Sequence, residues 1–313
     1  LFDMEKGSEE LFMQPSQYVL SGNQAVETVR ILARSGQKVA HPEKVCVVVD
    51  QAVPPNSPEV SLAQRELMDF AKKYQIPFYY GRGMAFSLLQ KEWQAESLVL
   101  SCDPDVFMVG GVGAIGLCLS PEEMARALTM ETWKAEERQL FRVQVTGHLS
   151  DGVDVRDAAR AFISSRKGKM PQGAAVAFSD GNTGLSAEEW MILCGAMQKL
   201  SVGTAAKAVS DWEGAYDAVL DLSQVQPSLD VGQGHVVDTL PAQSVQAVFI
   251  GGAYGGFLGD IKKTAEALEG KRVAPKVRLS VAPNTAAVYS EAARAGYLTT
   301  IMEAGGLVLN QCA

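Results

Sequence analysis

Short apolar runs that stop at Asp or Gly, each followed by a helical pattern, recur along this chain and restrict its fold more than any other feature. Val45 to Val49 reads Val-Cys-Val-Val-Val and ends at Asp50. Residues 97–102 end at Asp103, residues 174–178 are followed by Asp180, and residues 247–250 end at Gly251. Runs apolar at every position fit strands buried on both faces, which is how parallel strands read. Parallel strands need crossover connections, usually helices. The pattern therefore predicts an α/β protein, built of three-layer α/β/α domains with mostly parallel sheets.

At 313 residues the chain exceeds what one core usually serves, so several units are expected. The divisions read as 1–140, 141–236 and 237–313. A segment rich in Pro, Gly and polar residues from Gln224 to Pro241 is expected to make the last connection. Two helix starts are legible: Ser120-Pro121-Glu122-Glu123 and Ser186-Ala187-Glu188-Glu189 each set a Ser three residues before a Glu. A further helix is expected from about Asp260 to Gly270, where a left-handed cap residue fits.

Composition limits the partners. Apolar residues make up 47 % and charged residues 20 %, as in a packed globular protein. A net charge of −8 opposes nucleic acid as a partner, because phosphate binding needs surplus Lys and Arg. No run approaches the roughly 18 apolar residues of a membrane helix. Cys46, Cys102, Cys118, Cys194 and Cys312 are scattered and odd in number, which argues against a disulfide framework and for a reducing, cytoplasmic setting.

Ligands in open α/β sheets bind beyond the carboxyl ends of strands, which singles out Asp50, Asp103 and Asp180. Such carboxylates serve as general bases or divalent-metal ligands, or else cap the next turn, the reading preferred for Asp180. Gly111, Gly113 and Gly116 have the spacing of a dinucleotide fingerprint, but seven residues separate them from Asp103, so a tight glycine turn in the interior is expected instead. Gly251 to Gly256 follows a strand and precedes a helix, where Gly252 and Gly255 suit either an anion nest or a close-packed turn. Arg82 stands between two glycines that clear an approach, so it is the side chain expected to grip a carboxylate. His41, His148 and His235 fall in polar surroundings without a neighbouring nucleophile or ligand. No zinc-hydrolase or serine-hydrolase motif is present.

Read in order, these segments resemble the large subunit of the aconitase and isopropylmalate dehydratase family, the iron–sulfur hydro-lyases. Val49-Asp50-Gln51 is similar to the family's Asp-His strand end, Gly83-Met84-Ala85-Phe86 to its Gly-Ile-x-His, and Asp103-Pro104-Asp105-Val106 to its Asp-Ser-His-Thr. Gly147-His148-Leu149 with Arg156-Asp157 resembles the segment that opens its second unit. Val248 to Gly251, the helix from Asp260, Val277 to Pro283 and Glu303-Ala304-Gly305 follow its last third.

The resemblance implies a [4Fe–4S] cluster acting as a Lewis acid, a substrate of the 2-hydroxy di- or tricarboxylic class, a small swivelling subunit as partner, and Asp103 as the retained active-site residue. The departures imply something else. Ala253 stands where the family has its first ligating Cys, Cys312 falls at the second, and the third position has no counterpart, so one ligand of three is visible. Gln51, Phe86 and Asp105 replace the family's histidines. The expected function is thus a binding, regulatory or repurposed member without the cluster-dependent chemistry. The alternative is an active hydro-lyase or isomerase in which Asp50, Asp103 and Asp105 hold a divalent metal, or a cluster persists.

Overall fold

The structure, a computed structural model, describes residues 12–134, 136–210, 212, 214–230, 235–236 and 244–311. Twelve strands form its parallel sheets: β1 (Gln17–Leu20), β2 (Val45–Val49), β3 (Phe78–Tyr80), β4 (Leu98–Ser101), β5 (Ile115–Cys118), β6 (Leu140–Thr146), β7 (Ala175–Asp180), β8 (Thr204–Lys207), β9 (Ala218–Asp221), β10 (Ala247–Ile250), β11 (Arg278–Val281) and β12 (Leu307–Val308). The four apolar runs singled out in the sequence are β2, β4, β7 and β10, and the protein is α/β with mostly parallel sheets. Two short antiparallel pairs, Phe12–Met13 with Trp133–Lys134 and Ser228–Leu229 with His235–Val236, complete the pairing.

The chain divides into two compact units, one of residues 1–19, 30–45 and 90–241, the other of residues 20–29, 46–89 and 242–313. In the first, β1 pairs β4 and β4 pairs β5, all parallel. A second parallel sheet there runs in the order β8-β7-β6-β9, so the strand order reverses between β6 and β9. Its core sets Phe162 edge-on to Phe178 at 5.9 Å between ring centres and Phe178 tilted against Trp190 at 6.3 Å. In the second unit, β2 pairs β3, and β10, β11 and β12 form a parallel sheet. Leu279 and Val281 of that sheet pack on Ile261, Ala265, Ala292, Leu298 and Ile301 from three helices.

Both sequence-read capping boxes are present: Ser120 with Glu123, and Ser186 with Glu189, exchange side-chain and backbone hydrogen bonds at the helices Pro121–Ala127 and Ala187–Ala196. The helix expected from Asp260 spans Leu258–Leu268, and Gly270 has φ +67°. Of the connection expected at Gln224–Pro241, residues 231–234 and 237–241 lie outside the described residues.

The glycines around Gly111 have a packing purpose. Residues Pro104–Val112 form a buried 3-10 helix after β4, not a phosphate turn. A Cβ on Gly110 would lie 1.9 Å from the Ala205 carbonyl oxygen, on Gly111 2.3 Å from the Met191 nitrogen, and on Gly116 2.3 Å from the Val106 carbonyl oxygen. Three pieces of backbone approach here too closely for any side chain, which explains the glycines without a nucleotide. Gly111→Ala is expected to lower unfolding stability by about 1–3 kcal/mol in urea titrations. Gly259→Ala, at a helical position with no atom within 4 Å of the added carbon, is expected to hold stability or raise it by up to about 1 kcal/mol.

Candidate functional site

In the second unit the loops leaving β3 and β10 are tied to the end of β11 by one short segment, Asn284–Ala286. Asn284 is 1 % exposed and follows Pro283 at the end of β11. Its Nδ2 donates to the carbonyl oxygens of Gly252 at 3.0 Å and Gly255 at 3.1 Å, and its backbone N–H donates to Gly256 at 2.7 Å. Its own carbonyl accepts the Met84 N–H at 3.0 Å, so one residue joins the loop after β10 to the loop after β3. Its Oδ1 is buried with no hydrogen-bond partner among the described residues, an acceptor whose burial costs stability until a donor meets it. Thr285 next caps the helix Ala286–Arg294 through the Val288 N–H.

Arg82 lies on the loop after β3. Its carbonyl accepts the Ala286 N–H at 2.9 Å and its residue surface is exposed. The glycines beside it do not serve to open a ligand's approach, as the sequence suggested. A Cβ on Gly83 would lie 2.7 Å from Thr285 Cα, and one on Gly81 2.9 Å from Val53 Cγ1, so both admit neighbouring chain instead. The side-chain amide of Gln311 also donates to the Gly81 carbonyl, and Asn310 Nδ2 to that of Val53 at 2.7 Å.

The loop Gly251–Gly256 favours the close-packed turn over the nest at Gly255. The Gly255 N–H donates to the Gly252 carbonyl at 3.3 Å, and a Cβ on Gly255 would lie 2.7 Å from the Gly251 oxygen. Gly252, at φ +84°, has open space where a Cβ would be. Asp50, 4 % exposed at the end of β2, accepts the Ala85 N–H on Oδ2 at 3.0 Å. The helix Ala85–Leu88 has Met84 at its cap position, which offers no side-chain acceptor, so Asp50 caps it from a distant strand.

Asp103 and Asp105 belong to the first unit and lie together. Asp103 Oδ1 accepts the Asp105 N–H at 2.9 Å, capping the 3-10 helix, and the Asp103 N–H donates to Ser101 Oγ at 3.0 Å. Asp105 Oδ1 accepts Gln198 Nε2 at 2.8 Å. Cys118 at the end of β5 is surface-accessible, yet desolvation of the thiol, followed by the charges of Asp103 and Asp105, pushes its pKa up to about 12. Cys46, Cys102 and Cys194 are buried, and burial pushes the Cys194 thiol up as well. Cys312 lies outside the described residues. No group of three or more His, Cys, Asp or Glu side chains that could hold a metal ion occurs among the described residues, and of the three strand-end carboxylates Asp50 belongs to the second unit, Asp103 and Asp105 to the first.

Asp180 has the capping role preferred for it, accepting the Thr183 N–H at 2.9 Å, and adds an ion pair that the sequence did not reveal. Lys207, closing β8, donates to Asp180 Oδ2 at 2.8 Å while its ammonium sits 4.8 Å from the centre of the Trp190 ring. Partial burial alone would raise the Asp180 pKa, but the Lys207 ammonium and the Thr183 donors hold it below the ordinary carboxylate value. His148 Nδ1 meets the Thr183 carbonyl at 2.9 Å. Lys207, Gln198 and Asn284 all escaped the sequence reading, because their partners lie 27 to 200 residues away. The one usable signal was the place of Asn284 between a strand-ending Pro and a Thr cap.

Two outcomes follow. Asn284→Ala is expected to speed amide hydrogen exchange across residues 251–257, read by mass spectrometry, while β7 and β8 exchange as before. A depressed carboxylate pKa contributes stability that is complete above the unfolded value and lost as pH falls through the folded one. Lys207→Met is therefore expected to lower stability at neutral pH, with the difference from wild type shrinking once the medium is acidic enough to protonate Asp180.

The sequence profile of the aconitase family (aconitate hydratase) matches residues 3–197. The homoaconitase large subunit of Thermus thermophilus is 31 % identical over 299 residues, covering 86 % of this chain and 70 % of its own. The 3-isopropylmalate dehydratase large subunit 1 of Deinococcus radiodurans is 30 % identical over 294 residues, covering 86 % and 68 %. Among solved structures, holo-form aconitase X of Thermococcus kodakaraensis superposes with a TM-score of 0.64 at 14 % identity, over 96 % of this chain and 79 % of its own.

Proposed function

Because the chain belongs to the aconitase family, we propose that it keeps the family's scaffold for binding a small polar molecule and does not carry out cluster-dependent dehydration. The observation that carries this reading is Ala253, in the loop after β10 where the resemblance puts a ligating cysteine. A methyl group offers iron no lone pair. Among the described residues, no three His, Cys, Asp or Glu side chains come together to take its place. The residues present thus do not fit a [4Fe–4S] cluster among the described part of the chain.

The acid–base side is also depleted. Asp103, the retained active-site position by resemblance, uses one carboxylate oxygen to cap its own turn, and Gln51, Phe86 and Asp105 stand where the family's histidines would be. Without a Lewis acid or a proton shuttle, binding is what the strand-end loops still support. Arg82, exposed beside the start of the helix Ala286–Arg294, is the group that would hold a carboxylate at the rim. The relatives are named as large subunits, which supports a smaller subunit as partner.

A second reading, an active hydro-lyase or isomerase on a 2-hydroxy di- or tricarboxylic acid, is favoured by similarity to named dehydratases along 86 % of the chain. Hydration of unsaturated di- and tricarboxylates, assayed before and after anaerobic incubation with iron and sulfide, separates the two. The binding reading expects no turnover above the uncatalysed rate under either condition. Iron-dependent turnover that a chelator abolishes would establish the second reading instead.

A further inference from the structure

At the carboxyl end of β2, between the helices Ala25–Ser35 and Pro58–Tyr74, the second unit encloses a cavity of about 280 Å³. It is somewhat below the usual range for drug-sized ligands, and so suits a smaller molecule. Its walls are apolar, formed by Val26 from the first helix and Val60, Ala63 and Leu67 from the second. Three carboxamides line the cavity and are exposed at its mouth: Asn23, Gln51 and Asn56. Asp50 is the one ionisable side chain in the lining, and neither Arg82 nor any other Lys, Arg or His is part of it.

The space is held open by structure made for that purpose. Gln64, 8 % exposed, donates from Nε2 to the carbonyls of Gln51 at 3.4 Å and Ala52 at 3.0 Å, and its Oε1 accepts the Tyr80 hydroxyl at 3.2 Å. These bonds fasten the turn after β2, where Ala52 has φ +50°, around the cavity instead of letting it collapse inward. The side-chain amide of Gln64 is spent on that task, which leaves the three rim carboxamides to meet a ligand.

We propose that this cavity binds a small uncharged carboxamide with a short branched apolar body, and excludes the carboxylates expected of the family's substrates. A carboxylate entering here would give up water without meeting a cation. A carboxamide has both a donor and an acceptor, the complement of the groups Asn23, Gln51 and Asn56 present, and its apolar body fills the valine, alanine and leucine walls. The inference rests on the binding reading above only in taking ligand binding as the retained role, and it places its own ligand in this cavity, apart from Arg82. The two fail separately, since that reading turns on iron-dependent turnover and this one on the charge of the ligand.

Isobutyramide and isobutyrate have the same shape and differ in charge, so they make the test on the full chain by saturation-transfer NMR. Isobutyramide is expected to bind at least about tenfold more tightly than isobutyrate, a difference of roughly 1.4 kcal/mol. Ala63→Phe, which puts a ring into the cavity from one wall, is expected to abolish the isobutyramide signal, and Val26→Phe to do so from the other, each checked for folding by circular dichroism. Equal or tighter binding of isobutyrate would overturn the proposal, as would no signal from isobutyramide, or a signal that survives in both folded variants. Should a variant not fold, the comparison of amide and acid on the native protein decides alone.

Discussion

Parallel strands cannot be joined by tight hairpins, and this constraint organises the whole protein. Each strand must send the chain out at its carboxyl end and bring it back through a crossover. Turns, helix starts and unsatisfied backbone groups therefore gather along one edge of every sheet, where something must meet them. In the second unit that task falls on side-chain amides: Asn284 holds the loop after β10 and Gln64 holds the turn after β2. In the first unit it falls on carboxylates, with Asp103 capping the helix after β4 and Asp180 pairing with Lys207 across neighbouring strand ends. Strand-end acids in this chain are thus structural parts first, and any ligand chemistry is built around them.

This explains which features the sequence displayed. Local rules worked where the partners are local: the apolar runs at β2, β4, β7 and β10, the Ser–Glu boxes at Ser120 and Ser186, and the stop at Gly270 involve residues within a few positions of each other. Gly111, Gly113 and Gly116 have the spacing of a phosphate motif, and although context pointed to an interior turn, spacing alone does not say what approaches the backbone at 110, 111 and 116. Only the fold shows Ala205, Met191 and Val106 there. Asn284 was invisible for the same reason, since nothing about an Asn after Pro283 reveals that loops 30 and 200 residues earlier will arrive at it. Gly81 and Gly83 misled in a more instructive way: they were read as room for a ligand beside Arg82, and they are room for Val53 and Thr285.

The same logic separates scaffold from chemistry within the family. The chain is about 30 % identical to named large subunits, and burial and backbone satisfaction demand parallel sheets with tied loops of any sequence with this topology. Groups that do chemistry carry no such structural obligation, and Asn284 holds the backbone carbonyls of the loop after β10 whatever side chain stands at position 253. Asp103 caps the turn after β4, a role needed whether or not the protein turns over a substrate. Retained fold and altered site are therefore compatible outcomes of one set of physical requirements.

Iron and acid-labile sulfide, determined together with the visible absorption spectrum on protein reconstituted anaerobically, test the absence of a cluster most directly. With Ala253 in the glycine loop, the expected result is far less than one [4Fe–4S] cluster per chain and no charge-transfer absorption after desalting. Close to four irons and four sulfides per chain, retained through desalting, would contradict the binding reading and restore the hydro-lyase one.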